Sequence, residues 1–382
     1  MRLAIIGLGQ RMSAVLSALK AAGARFSVDG YFDPSPVGLD RLISEGIHPG
    51  EAFRSVEQAV MPGGRDLVLI GSPNHLHAEH LMLALYGQTP VFVEKPIVRT
   101  ESESYSLAQR LSRETTPDLY VGLVLRSAPI VREILSTVRD GHLGQIVSID
   151  ATEHLPPEHG SYLARNWRRK REWGGSFLLD KVCHDFDILG EIAGARAEKV
   201  MSFGGRGIFR PDREPSARFY SNGEAAYESW PGGWAATGDA YRSVSDVTDH
   251  QTALVQYANG VQLSFHSNSS TALPERRWYI AGTQGTLIAD LVRNTVMWRR
   301  SLDVGPPVRR QFEVSEIDHN GADVAMAHDL ISALTESAAF PVSAYHAIEA
   351  GMTVMAIDKA LATGQVVDCA TMWTTLDAAM GV

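Results

Sequence analysis

Cysteine is nearly missing from this chain: Cys183 and Cys369 are the only two in 382 residues. Two thiols cannot staple a disulfide framework, so a cross-linked secreted scaffold is excluded and a reducing cytoplasm is the expected setting. Cys183 reads as a small packed hydrophobe. Long apolar runs are missing too. No stretch approaches the roughly 20 residues that a membrane-crossing helix needs, and the N-terminus enters "RLAIIGLG" directly, without the pattern of a signal peptide. A basic excess is the third absence. The net charge is −9, the wrong sign for a nucleic-acid partner. The one basic run, Arg168-Arg169-Lys170-Arg171 between Trp167 and Trp173, is too short to reverse that. Neither an internal repeat nor a low-complexity tail is visible. What is present is an ordinary globular composition, 45% hydrophobic and 21% charged, able to bury a sizeable core and long enough for two domains.

The first third alternates strands and helices. "RLAIIGLGQRM" is an aliphatic run that meets Gly7-Leu8-Gly9 and passes into helical spacing through "SAVLSALKAAG", with Gly23 as a C-cap. A second strand, "FSVDGYFD", ends at Asp33, 24 residues beyond Gly9. This is the dinucleotide-binding βαβ pattern. The first glycine makes the turn, the second lets a pyrophosphate approach backbone N–H groups, and the acid accepts hydrogen bonds from the adenosine ribose. Met12 occupies the place of the usual third glycine. Asp33 favours NAD over NADP, because a carboxylate repels the extra phosphate; Arg11 leaves NADP possible, its other reading being a solvated residue on the first helical turn. "DLVLIGSPNHLHAEH" and "PVFVEKPI" add strands ending at Ser72-Pro73-Asn74 and Glu94-Lys95-Pro96. In a parallel sheet, ligands lie beyond such strand ends. Lys95 is therefore either an exposed lysine or a catalytic or cofactor-binding one. His75, His77 and His80 read as helix-start caps or cofactor contacts rather than metal ligands.

"LLDKVCHDFDIL" (178–189) sets Asp180, His184 and Asp187 at helical offsets, with Glu191 extending the row. Such a stripe is either a wet helix face or a buried acid/base or metal pair. Asp187 reads as structural. Beyond residue 121 the pattern becomes that of an antiparallel meander. "TALVQYANGVQLSFHSNS" holds two strands around Asn259-Gly260, a two-residue hairpin signal. Further strands are expected at "RRWYIAG", "GTLIADL", "NTVMWRR" and "QFEVSE", and closing helices at "HDLISALTESA" and "AIEAGMTVMAIDKALATG". The stretch 204–241, rich in Gly, Pro, Arg and aromatics including Trp230 and Trp234, is too long for a simple connection and reads as a lid, an arm or an oligomer contact. The run 168–171 is expected to loop over the site, where an arginine could hold a substrate carboxylate or a cofactor phosphate.

Gly7-x-Gly9, Ser72-Pro73-Asn74 with His77, Glu94-Lys95-Pro96 and Asp180-x-x-x-His184 together resemble the Gfo/Idh/MocA family of nicotinamide-dependent oxidoreductases. The resemblance continues through "YVGLVLRSAP", "GHLGQIVSI", "GGSFLLDKVCHDFDIL" and "RRWYIAGTQGTL", covering most of the chain in order. It implies an α/β protein: a Rossmann dinucleotide-binding domain over 1–124, and an α/β domain over 125–382 with an open, mostly antiparallel sheet for substrate binding and oligomerisation. The last helices would pack back on the first domain. It also implies a cis Lys95–Pro96 peptide. Carried over by position, Lys95, Asp180 and His184 are the catalytic set; Gly7, Gly9, Gln10, Arg11, Asp33, Ser72, Pro73, Asn74, His77, Glu94 and Lys95 would hold the NAD; and Lys95, Arg168, Asp180 and His184 would touch substrate, with no metal. Lys181 adds a cation that many members lack.

The implied chemistry is hydride transfer between nicotinamide and a secondary hydroxyl of a sugar, sugar derivative or cyclitol. His184 would be the base, Asp180 would orient its imidazole or touch a neighbouring hydroxyl, and Lys95 would polarise the reacting oxygen. A homo-oligomer, dimer or tetramer, is implied as well. Two other readings stand beside it: a redox-neutral NAD-dependent lyase or glycosidase, and a dinucleotide-binding regulator without turnover.

Overall fold

The structure is a computed structural model that describes residues 1–61, 63–113, 115–228, 233–313 and 319–382. Six strands form its first sheet: β1 (Arg2–Ile6), β2 (Ser27–Phe32), β3 (Glu51–Ala52), β4 (Leu67–Ile70), β5 (Val91–Val93) and β6 (Leu119–Val121). All are parallel, in the order β3-β2-β1-β4-β5-β6. β4 ("LVLI") and β5 ("VFV") are buried at every residue, as central parallel strands covered by helices on both faces must be. The strand order reverses between β1 and β4, so the loops leaving those two ends part and open a crevice.

The second sheet has nine strands. They are β7 (Ile146–His154), β8 (Ala197–Gly205), β9 (His250–Tyr257), β10 (Gln262–Asn268), β11 (Glu275–Gly282), β12 (Gly285–Asp290), β13 (Thr295–Arg300), β14 (Val308–Gln311) and β15 (Val367–Asp368). The order is β14-β13-β12-β11-β7-β10-β9-β8-β15, and every pairing except β7–β10 is antiparallel. Alternation sorts each strand into two faces. One face buries Ile149, Ala151, Val255, Phe265, Trp278 and Ile280, with Phe265 meeting Phe186 of helix Cys183–Ala193. The other face leaves Phe203, Leu254 and Tyr279 exposed. The α/β class and the mostly antiparallel second sheet are as expected from the sequence.

Three differences have physical causes. The β9–β10 hairpin forms, but Gln256 pairs with Gln262, so its loop is Ala258-Asn259-Gly260 rather than two residues. Gly260 alone has a positive φ, +89°, whereas a two-residue type I′ turn needs two such residues. The strand expected at "QFEVSE" (311–316) lies three residues earlier, at Val308–Gln311; residues 314–316 of that expectation lie outside the described residues. Helix Ala370–Met380 has no counterpart in the sequence reading.

The chain's end returns to its beginning. Helix Ala322–Glu336 packs on helix Gln10–Ala21, and helices Ala344–Thr363 and Ala370–Met380 lie against Glu101–Leu111. In the 204–241 stretch, Phe209, Ala240 and Tyr241 make a small core of their own with Ala164. The Asp249 carboxylate gathers the N–H groups of Gly207, Ile208 and Phe209. Trp230, with the rest of 229–232, lies outside the described residues.

Candidate active site

Gly7 ends β1 with φ +87°, and a Cβ there would stand 2.3 Å from the backbone nitrogen of Ser72. Only glycine fits such a turn against the neighbouring strand end. Gly9 has nothing within 4 Å of where a Cβ would be. It precedes helix Gln10–Ala21, whose first turn has no side-chain cap and no acidic residue. Uncapped N–H groups at the positive end of a helix, opening on free space, suit a pyrophosphate. Met12 is fully buried, and a Cβ on Gly71 would stand 2.8 Å from its Cε. The close approach usually made by a third glycine in the helix is made here by a glycine after β4. Asp33, beyond β2, accepts the Ser35 N–H at 2.7 Å; burial, its largest influence, raises its pKa. Gln10 donates to the Val37 carbonyl at 3.2 Å.

Arg11 is not solvated. Its Nε donates to Glu94 Oε1 at 2.8 Å and its Nη1 to Asp323 Oδ1 at 2.5 Å. The guanidinium thus ties the helix after the glycine turn both to the end of β5 and to helix Ala322–Glu336, and the two carboxylates outweigh burial and raise its pKa. Glu94 is buried and also accepts the Lys95 N–H at 3.3 Å. The Lys95–Pro96 peptide is cis, as the resemblance implies. His77 is buried, with Nδ1 2.8 Å from the Pro96 carbonyl and Nε2 2.7 Å from the Ser72 carbonyl, so it pins the β4 and β5 ends together. His80 Nδ1 meets Ser72 Oγ at 2.9 Å. Pro73 precedes the helix begun by Asn74, which has no side-chain cap.

The stripe is buried at Asp180, His184 and Asp187, whereas Glu191 at its end is exposed. Asp180 is 4% exposed, His184 8% and Asp187 4%, which disposes of a wet helix face. Residues Leu178–Val182 form a π-turn leading into helix Cys183–Ala193, an irregularity that recurs at functional sites. Lys95 Nζ crosses from β5 to donate to the Asp180 carbonyl at 2.5 Å. The Asp180 side chain accepts from Asn74 Nδ2 at 2.9 Å and from Arg168 Nε at 3.0 Å. Burial alone would raise its pKa, but Arg168 and Lys95, with the Asn74 hydrogen bond, bring it below the ordinary value.

The expected Asp180–His184 hydrogen bond is not among those of the described residues, because Arg168 and Asn74 already occupy the carboxylate. Arg168 likewise serves Asp180, Tyr162 Oη and Asn166 Oδ1, stacked over Trp167. The ring of His184 is held well below its ordinary pKa by burial and then by Lys95 and Arg276, and its buried Nδ1 makes no hydrogen bond among the described residues. It is a neutral imidazole at neutral pH. Asp187 pairs with Arg126 at 2.7 Å, a structural role.

The sequence reading missed what lies behind His184. Asp185, fully buried, takes both Nε and Nη2 of Arg276. Arg276 also meets Glu153 at 3.1 Å, and Lys181 Nζ lies 3.0 Å from His159 Nε2 and 3.5 Å from Glu153. Strand parity carried the signal. Arg276 shares its face with Trp278 and Ile280, and Glu153 with Ile149 and Ala151, so both charges had to point into the core.

Comparison with known proteins agrees with this geometry. Residues 1–122 match the oxidoreductase family model with an NAD-binding Rossmann fold, and 131–288 match the GFO/IDH/MocA C-terminal domain. The chain belongs to the GFO/IDH/MocA family. Among curated relatives, Bacillus subtilis YteT is 24% identical over 62% of each chain. An inositol 2-dehydrogenase of Corynebacterium glutamicum is 26% identical over 40% of this chain and 42% of its own. A 1,5-anhydro-D-fructose reductase of Ensifer adhaerens is 25% identical over 94% and 95%. The chain therefore spans less than two thirds of the length of the first two relatives. In fold, a levoglucosan dehydrogenase solved with NADH and levoglucosan superposes with a TM-score of 0.76 at 18% identity, over 96% of this chain and 99% of that one. An NAD-binding oxidoreductase from Klebsiella pneumoniae superposes at 0.77 and 19%, over 96% and 98%.

A cavity of about 340 Å³ lies between helices Cys183–Ala193 and Ala344–Thr363, lined by Arg126, Tyr257 and His346 among others. Lys95, Asp180 and His184 do not line it.

Proposed function

We propose that this protein is an NAD-dependent oxidoreductase that moves a hydride between the nicotinamide and a secondary hydroxyl of a sugar, sugar derivative or cyclitol. The observation that carries the reading is the meeting of Lys95, from the end of β5, with the Asp180–His184 turn of the other half. Curated relatives named for inositol, an anhydro sugar and levoglucosan point to the same substrate class. Residues 1–124 would hold the cofactor and 125–382 the substrate side.

A nicotinamide bound beyond β5 supplies the hydride acceptor or donor. The chain's own residues manage the proton. Neutral His184 takes the hydroxyl proton, as a base with no proton of its own to lose first. The Lys95 ammonium donates to the same oxygen and stabilises the charge that develops on it. Asp180, ionised against Arg168 and Asn74, supports the lysine's charge, so Arg168 acts through Asp180. In the cofactor's adenosine end, Asp33 accepts from the ribose. Nε and Nη1 of Arg11 are committed to Glu94 and Asp323, which supports NAD over NADP. The uncovered sheet face with Phe203, Leu254 and Tyr279 suits a second copy of the chain, giving a dimer or tetramer. Two buried free thiols suit a reducing cytoplasm.

The test is to incubate the protein with NAD and a panel of sugars, anhydro sugars and cyclitols while following cofactor reduction, and to run the ketone direction with NADH. Turnover of a polyol that Lys95→Met abolishes supports the reading. Measured dinucleotide binding with no redox change across the panel in either direction rejects it. Product formed with no net cofactor change would mark a redox-neutral lyase.

A further inference from the structure

Two consecutive residues of the long 206–249 connection reach the nucleotide-binding half, on both sides of the glycine turn. In the sheet, β1 lies between β2 and β4. Val37 belongs to the loop after β2 and His75 to the helix start after β4. Gly233 abuts Val37, with its Cβ position 3.6 Å from Val37 Cγ2. Trp234 lies against the His75 ring at 5.4 Å between centroids, tilted by 32°, and meets Trp173 edge-on at 4.9 Å. Because Gly7 and Gly9 end the strand between these two supports, residues 233–234 span the opening above them.

The span is fastened at its base. Arg169 Nη1 donates to the Ala235 carbonyl at 2.5 Å, Thr237 N donates to the Arg165 carbonyl at 2.7 Å, and Asp246 takes the Arg171 N–H at 2.7 Å. Of the basic run 168–171, Arg168 is taken by Asp180, Arg169 reaches the Ala235 carbonyl, and Arg171 contributes its backbone N–H. Between the strands that carry these two supports lie the open Cβ position of Gly9 and the uncapped helix start. Trp234 remains 43% exposed. A tryptophan fixed against His75 yet half-exposed leaves apolar surface that a bound ligand could bury.

We propose that Gly233 and Trp234 form an outer wall of the dinucleotide site, a bridge over the diphosphate–ribose stretch that retains the cofactor between turnovers. The proposal rests on the NAD-binding reading of the first domain and adds to it residues from outside that domain. Trp234 is the binding residue; Arg169 and Trp173 position it.

The experiment is stopped-flow release of NADH from the whole protein, chased with excess NAD and read by nucleotide fluorescence. Trp234→Ala should release NADH about tenfold faster, the equivalent of one well-packed aromatic contact. His75→Ala should reproduce part of that gain, and the double variant should be no faster than Trp234→Ala alone, since the two side chains act as one support. Val244→Ala, on the same segment but 74% exposed, should release at the wild-type rate. Trp234→Leu keeps bulk without the aromatic ring and replaces the alanine variant should that one not fold. Wild-type release from folded Trp234→Ala or Trp234→Leu overturns the bridge while leaving NAD binding intact. Failure of the wild-type protein to bind NADH at all overturns the underlying reading instead.

Discussion

The end of β1 and the turn at 178–185 solve opposite problems. At the first, the chain withdraws: two glycines, no cap, no acid in the first helical turn, and free space at Gly9. At the second, it crowds in charge and neutralises nearly all of it, with Asp180 on Arg168, Asp185 on Arg276, and Lys181 and Arg276 on Glu153. The difference matches what the proposed function asks of each. An anion many atoms long is held by backbone groups that need room, whereas proton movement needs one imidazole left uncharged among fixed charges.

Four substitutions or conditions press on that contrast. The largest effect is expected from Lys95→Met, which removes the donor to the reacting oxygen: turnover should fall about 10²–10³-fold, with a far smaller change in NADH affinity by fluorescence titration. Arg276→Met strands Asp185 and Glu153 inside the core. Urea denaturation should show a loss of about 3–5 kcal/mol, and wild-type stability would mean that the charges behind His184 are not interdependent. Gly7→Ala puts a Cβ against Ser72 at a positive φ. The strain alone costs about 1–3 kcal/mol, and calorimetric titration should show NADH binding lost, while Gly190→Ala, in an open helical position, leaves it unchanged.

The smallest effect is with pH. His184 and His80 have pKa values below the unfolded value of 6.5, His80 at about 4, burial being the first cause for both. The unfolded chain then binds protons that the folded one refuses, so stability is complete above about pH 6.5 and is lost as pH falls through the folded values. Thermal midpoints should decline from pH 7 to 4, and His184→Asn should flatten that decline. An unchanged slope would mean that the ring is not buried neutral.

The nucleotide half was legible because its signals are local. Gly7, Gly9 and Asp33 sit at turns that one βαβ unit dictates, and even the Met12 departure was visible, though not its answer in Gly71, 59 residues away. At 178–189 the residue types were legible and their partners were not. Spacing suggested Asp180 beside His184, yet nothing local announces that Arg168 and Asn74 claim the carboxylate. Asp185 was passed over beside its neighbours, although Arg276 and Glu153, charged residues at core-facing positions of alternating strands, advertised a need for it and for Lys181. The hairpin at Asn259-Gly260 shows the same limit on a small scale: the dipeptide marks a reversal, but the flanking register decides how many residues make it.

The Arg11 guanidinium has a consequence for anyone who would borrow the cofactor module. It sits on the helix after the glycine turn yet leans on Asp323, near the far end of the chain. Cutting after residue 122 would leave Arg11 with Glu94 alone and expose the flank of helix Gln10–Ala21 where Ala322–Glu336 packs. The segment that looks most portable by its motifs shares a packed helix face and an ion pair with the chain's last third, so chimeras should carry the closing helix along with it.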